Sequence, residues 1–406
     1  HYVKEESSID IAARDRGTSV YFPRMVVPML PEKLSNDLCS LRPKRDRLVL
    51  VCDMLINDSG RIEKYRFFEA VIESKARFTY QQVEEILRSQ CYENQLVLES
   101  LKNLAKLHKK FRARRVSKGA LVFQTKEVSV KFKEDGCVEA LRSLETLTSH
   151  RIIEECMLAA NICAGEFMQT SQNNAIYRVH EFPTLLKLDR LKRELMALGI
   201  KTSGFEFANS NDFVNLVRNS CNHKHNNLIQ LLLMQSLERA FYSNKKLGHF
   251  GLALEVYTHF TSPIRRYPDL MCHRVIKARL ENRTPIIDEI DILLELVSRL
   301  ERRGDMAMRD ALTWCKCIYM RDKIGKTFVG KISSVREFGI FVFLEECNVD
   351  GLIHISNLGN DYFIFNEDLC TIRGETSNES FVLGDEIIIK VSKVSIEKNQ
   401  IDFVLV

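Results

Sequence analysis

Hydrophobic and polar positions alternate in clearly different ways along the chain, and the changes of period mark its organisation. Gly17–Pro23 (GTSVYFP) and Met25–Pro31 (MVVPMLP) are extended, β-branched and proline-rich. Pro31–Leu41 predicts a short helical turn. Leu48–Ile56 (LVLVCDMLI) and Arg61–Ser74 flank the turn signal Asn57–Gly60 (NDSG), which predicts an antiparallel pair. Thr79–Leu87 opens a helix, and Leu96–Lys118 forms a long amphipathic one. Gly119–Phe132 reads as strand, Arg151–Met168 as an apolar and therefore central helix, and Ala175–His180 as strand. Residues 184–243 are mostly helical, and Asp288–Arg321 is one long charged helical region, or two helices, around the lone tryptophan, Trp314.

After Gly325 the period shortens. Thr327–Val335, Gly339–Leu344, Gly351–Ile355, Asp385–Val394 and Gln400–Val406 read as five short strands with turn residues between them, the pattern of a small OB-type barrel. The fold class expected is α+β, with a mixed domain over 1–323 and a barrel over 324–406.

Composition adds bounds. The 406 residues imply two or three domains, and 45% hydrophobic with 28% charged residues suits a large core under an ordinary polar surface. The net charge of +5 permits a polyanionic partner but requires a local basic patch. Lys102, Lys106, Lys109, Lys110, Arg112, Arg114 and Arg115 supply one on the Leu96–Lys118 helix: a solvated face or an RNA contact. The 12 cysteines include no CxxC pair, so reduced thiols in a cytoplasmic protein are expected. Cys221, His223 and His225, like Cys315 and Cys317, lack common zinc spacing. No run is long enough to span a bilayer.

The densest chemistry lies in Tyr257–His273 (YTHFTSPIRRYPDLMCH). Arg265 and Arg266 stand between Pro263 and Pro268, just ahead of an apolar-periodic run that begins at Asp269. Paired guanidinium forks on a stiff loop suit a phosphate oxyanion. The alternative is an ion pair with a carboxylate such as Asp269. Glu154 and Glu155 lie in a greasy helix and need either a partner or water at its first turn. On the barrel, Phe328, Phe338, Phe341 and His354 fall where one face could stack bases, although rings at such positions also serve cores.

These motifs occur in an order that resembles the ribonuclease II/R (RNB) family of 3′→5′ exoribonucleases. The resemblance rests on GTSVYFP, VVPMLPEKLSNDLCSL (26–41), FFEAVIESKARFTY (67–80), EECMLAANI (154–162), HFGLAL (249–254), YTHFTSPIRRYPDL (257–270), FVGKISSVREFGIFVFL (328–344) and DGLIHISNL (350–358). At Met308, where the ribonuclease II branch looks to have a carboxylate, the chain resembles the other branch of the family. The resemblance implies an RNB catalytic domain followed by an S1 domain, single-stranded RNA as substrate, Mg²⁺ as cofactor, and a monomer acting in RNA turnover. It implies that Arg265, supported by Arg266, stabilises the scissile phosphate. Tyr21 would clamp the terminal nucleotide, Tyr80 and Glu154 would lie near the channel end, and Phe123 would close the base stack. The family's D-x-D-D metal cluster has no counterpart here. The chain, which begins at His1, is therefore expected to be a C-terminal portion. Its ligands would lie upstream, no metal ligand would fall within 1–406, and the piece alone would be inactive with an exposed sheet edge. A naturally inactive RNA-binding protein on the same scaffold is the alternative.

Overall fold

In a computed structural model the chain is described over residues 1–406 except 124–126, 170–173, 203–206, 208–209 and 285–286. The described elements run in the order α1 (Ser8–Arg16), β1 (Val20–Tyr21), β2 (Val26–Val27), β3 (Asp46–Ile56), β4 (Ile62–Glu73), α2 (Tyr80–Ser89), α3 (Gln95–Ser117), β5 (Glu127–Phe132) and β6 (Val138–Leu144). Then come α4 (Thr148–Met168), β7 (Tyr177–Val179), α5 (Leu185–Ala197), α6 (Ser210–Ser220), α7 (Asn226–Ser236), β8 (Phe241–Ser243), α8 (Tyr267–Leu280) and α9 (Ile290–Arg321). Strands β9 (Thr327–Arg336), β10 (Gly339–Leu344), β11 (Val349–His354), β12 (Phe363–Asn366), β13 (Thr371–Gly374), β14 (Ser380–Val382), β15 (Glu386–Ser395) and β16 (Gln400–Leu405) follow. Two compact units result: 1–121 with 146–181 and 239–306, and 122–145 with 182–238 and 307–406.

The first unit is built around α4 and α8. Ile152, Leu158, Ala159, Cys163, Ala164 and Met168 are buried on α4, and Met271, Cys272, Val275 and Ile276 on α8. Small residues let α4 approach the following chain closely. A Cβ on Gly165 would stand 2.9 Å from Val256 Cγ1, so only glycine fits without a shift. The expected antiparallel pair is present as β3–β4, in register from Asp46↔Glu73 to Ile56↔Ile62. Its turn is closed by Asn57, whose Oδ1 accepts from the N–H groups of Ser59 and Arg61. Leu50, Cys52 and Met54 face the core at a period of two, whereas Leu48, Leu55 and Val71 are exposed. Among the described residues these strands form a two-stranded sheet, so both outer edges lack a further strand.

In the second unit β10, β11, β16, β15 and β9 close into a barrel in that order. Ile332, Val335, Ile340, Val342, Leu344, Ile353, Ile389, Val391 and Phe403 fill it. The hairpin turn into β10 depends on Gly339. Its φ is +148°, and a Cβ there would collide with the carbonyl oxygen of Ile353. Three further short strands, β12–β13–β14, form a separate sheet beyond the five strands expected. Two other expectations change. The strand expected over Gly119–Phe132 spans only Glu127–Phe132 among the described residues, and 124–126 lie outside them. Its antiparallel partner β6 lies outside the strands the pattern predicts.

Candidate active site and nucleic-acid interface

The segment before α8 has almost no regular structure, so its backbone donors must find partners elsewhere. Asn161 of α4 accepts from the N–H of Phe260 at 2.9 Å and of Thr261 at 3.2 Å. Asp269, fully buried in the first turn of α8, accepts from the N–H of Ser262 at 2.8 Å. The carbonyl of Ser262 then accepts from the N–H groups of Arg265 and Arg266, closing a tight turn. This turn, bounded by Pro263 and Pro268, presents the two guanidinium groups.

The two arginines have different surroundings. Arg266 Nη2 lies 2.7 Å from Asp269 Oδ1, so the ion-pair alternative holds for this residue. Burial raises the Asp269 carboxyl, and the Arg266 charge pulls it back only in part. Arg266 Nε and Asp269 Oδ2 are buried without a hydrogen-bond partner among the described residues. Arg265 is half-buried, and its guanidinium has no carboxylate within ion-pair distance among the described residues. Behind the loop lies a desolvated aromatic and imidazole layer. Tyr242 Oη is 2.8 Å from His259 Nδ1, and Arg178 stacks on the Tyr242 ring while pairing with Glu301 at 2.6 Å. Burial first, then neighbouring arginines, drives His259 well below its usual range.

Tyr21 is tied to this loop through the backbone. Ser19 N–H donates to the Arg265 carbonyl at 2.9 Å, Thr18 bridges Arg266, and Tyr267 N–H donates to Gly17. Two residues on, Tyr21 pairs with Val26 and leaves its ring 48% exposed. The tertiary fold therefore brings the GTSVYFP and SPIRRYP motifs together, although Ser19 and Arg265 are far apart in sequence. Tyr80, also exposed, stacks on His150 with centroids 3.9 Å apart and planes inclined by 24°.

The two acidic residues of α4 separate in role. Glu155 is buried and meets Arg115 Nη2 at 2.5 Å, while Glu154 is exposed and sits 3.4 Å from the same group. The buried carboxylate that needed a partner is thus Glu155. Its partner, Arg115, carried no distinguishing mark within the run of basic residues on α3. Phe123 is half-buried outside any strand and belongs to the second unit.

On the barrel, Gly339 pairs with His354, and Phe341 pairs with Ser334 and Leu352. Ile340 and Val342 point inward, so Phe341 points outward. Phe338 is 48% exposed and meets Phe341 edge-on, with centroids 6.0 Å apart. His354 is exposed beside them, its Nδ1 2.9 Å from Ser356 Oγ. Phe328 differs. It shares the parity of buried Gly330 and Ile332 and packs against the barrel core, so its ring is not on this face.

The family resemblance implies Mg²⁺ as a cofactor. Among the described residues no group of three histidine, cysteine or acidic side chains could hold a metal. Asp269 is engaged by Arg266 and Ser262, and the buried Asp10 by Arg274, Tyr267 and Glu6. These residues therefore do not fit a Mg²⁺ site.

Comparison with known proteins bears on the same residues. An RNB domain matches residues 1–282 and an S1 RNA binding domain matches 321–405. Ribonuclease R of Vibrio parahaemolyticus is 41% identical over 423 residues, covering 100% of this chain and 51% of the relative. Ribonuclease R of Escherichia coli is 38% identical, covering 100% and 52%. The chain thus spans about half the length of these relatives. The structure of Mycoplasma genitalium RNase R in complex with ribose methylated single-stranded RNA superposes with a TM-score of 0.95 at 32% identity, covering 100% of this chain and 65% of that one. With the arginine loop, the bridged tyrosine segment and the closed barrel in place, these matches establish that the chain belongs to the RNB-domain family and carries an S1 RNA binding domain.

Proposed function

We propose that this chain is part of a processive 3′→5′ exoribonuclease. It would hydrolyse single-stranded RNA to nucleoside 5′-monophosphates with Mg²⁺, as a cytoplasmic monomer acting in RNA turnover. Residues 1–323 would form the catalytic domain and 324–406 the RNA-binding domain. Residues 1–406 alone would bind RNA without cutting it. The observation that carries the reading is Arg265, a guanidinium without a carboxylate partner among the described residues, on a turn bridged to the segment that bears Tyr21. Such a group can meet a phosphate oxygen as charge develops during displacement. Arg266, held by Asp269, would support the loop. The resemblance of the relatives' ribonucleases and of the RNA-bound Mycoplasma enzyme supports RNA as the ligand. Exposed Tyr21 and Tyr80 would contact the 3′ end, with Phe123 closing the stack and Glu154 near the channel end. Phe338, Phe341 and His354 would stack on bases further along the strand.

The test is Arg265→Ala in the full-length protein with Mg²⁺ and labelled single-stranded RNA. Turnover should fall by about 10²–10³-fold with RNA affinity little changed, as expected for loss of one transition-state donor. Equal losses in affinity and turnover would make Arg265 a binding residue only.

A further inference from the structure

Asn161 lies on the inner face of α4 and is 3% exposed. Asparagine is a poor choice there. Its amide competes with the helix backbone for hydrogen bonds, and a buried amide is costly unless it is satisfied. Its polar atoms all engage one distant segment. Oδ1 accepts from the N–H groups of Phe260 and Thr261, and Nδ2 donates to Tyr257 Oη at 3.0 Å. Residues 257–260 have no ladder partners of their own. Arg178 N–H donates to the Tyr257 carbonyl at 2.8 Å, and Asn161 accepts from the two N–H groups that follow, those of Phe260 and Thr261.

The position of these bonds gives the residue its meaning. Upstream, the segment is already anchored by Thr258 Oγ1, which donates to the Ile176 carbonyl at 2.6 Å, and by Val256 packed against Gly165. Downstream, Asp269 fixes Ser262, whose carbonyl fixes the arginine turn. Between these anchors the N–H groups of Phe260 and Thr261 depend on Asn161, while the Phe260 carbonyl meets His273 Nε2 at 2.8 Å. Loss of the Asn161 bonds would leave the segment attached but let the turn bearing Arg265 shift.

We propose that Asn161 is a positioning residue for Arg265, holding the arginine turn in the one placement from which the guanidinium meets the reacting phosphate. This deepens the exoribonuclease reading and rests on it.

The experiment uses the full-length protein and compares wild type, Asn161→Ala, Asn161→Asp and Arg265→Ala. Turnover of labelled single-stranded RNA with Mg²⁺, RNA affinity, and hydrogen exchange across 257–266 are measured for each. Asn161→Ala should lower turnover by about 10²-fold, the cost of misplacing a reacting group by about 1 Å, with RNA affinity unchanged and faster exchange confined to that segment. Asn161→Asp, which keeps an acceptor for both N–H groups, should recover most of the loss. Wild-type turnover in Asn161→Ala, with Arg265→Ala inactive, overturns the positioning role and leaves the nuclease reading standing. Wild-type turnover in Arg265→Ala overturns the nuclease reading itself. Faster exchange throughout the unit, or affinity falling with turnover, reduces Asn161 to a structural residue. Should Asn161→Ala not fold, Asn161→Ser carries the same comparison with the same outcomes.

Discussion

Acid should loosen the arginine loop through His273. This ring stacks on Phe260 with centroids 4.6 Å apart, and its Nε2 lies 2.8 Å from the Phe260 carbonyl oxygen. Burial pushes it down to about 4, with the Phe260 carbonyl opposing in part. In the unfolded chain an ordinary histidine titrates near 6.5. Below that pH the unfolded state takes up a proton that the native state refuses, so stability falls from about pH 6.5 to about pH 4 and is fully present above the window. At pH 5 the difference amounts to about 1.5 pH units, or about 2 kcal/mol. His249, driven to about 3 first by burial and then by His180, adds about 2 kcal/mol in the same direction. Together these are a large share of the roughly 5–15 kcal/mol that stabilises a typical domain. The assay compares wild type with His273→Gln, which keeps a donor for Phe260 but does not titrate. Urea unfolding at pH 7.5 and pH 5 is followed by hydrogen exchange of α8 amides, so that the signal belongs to this unit. Wild type should lose about 2 kcal/mol more than the variant on acidification. Carboxylates common to both proteins cancel. An equal pH dependence in the two would refute the argument.

Four further outcomes are expected. Asp269→Ala should cost about 3–5 kcal/mol, because Arg266 would be left as an uncompensated charge with its side chain only 15% exposed; thermal melting checks this, and Asp269→Leu with Arg266→Met should recover much of it. Phe338→Ala should weaken RNA binding by about 1–3 kcal/mol in a titration without changing the melting curve. Phe328→Ala should instead lower barrel stability by about 3 kcal/mol through loss of core packing, read as a lower unfolding midpoint. Tyr21→Ala in the full-length protein should change the size of the smallest RNA product, and an unaltered product ladder would count against a clamp at that ring.

Much of the fold could be read along the chain because its cause is local. The β3–β4 pair follows from alternating residues around NDSG, and the barrel from five apolar runs with turn residues between them. β12–β14 are only three or four residues long, and β6 (VEALRSL) departs from strict alternation of polar and apolar positions, so neither leaves much period to detect. Glu155 lies three positions from buried Ile152 and four from buried Ala159, but Glu154 lies four from buried Leu158 and seven from buried Asn161, so helical spacing does not separate the two. Phe328, by contrast, shares its strand parity with buried Gly330 and Ile332, which the alternation of β9 makes legible.

The chain's own order of residues determined the motif set, the inventory of cations and rings, and the two kinds of backbone period from which both parts are built. Tertiary structure alone decided which member of each adjacent pair is engaged. Arg266 meets Asp269 while Arg265 does not, and Glu155 takes the buried place beside Arg115. The decisive contacts join residues far apart in sequence, as when Asn161 meets Phe260 across 99 positions. Periodicity reports only the few neighbours a helix turn or strand brings together, whereas pairing at that range depends on how whole elements pack.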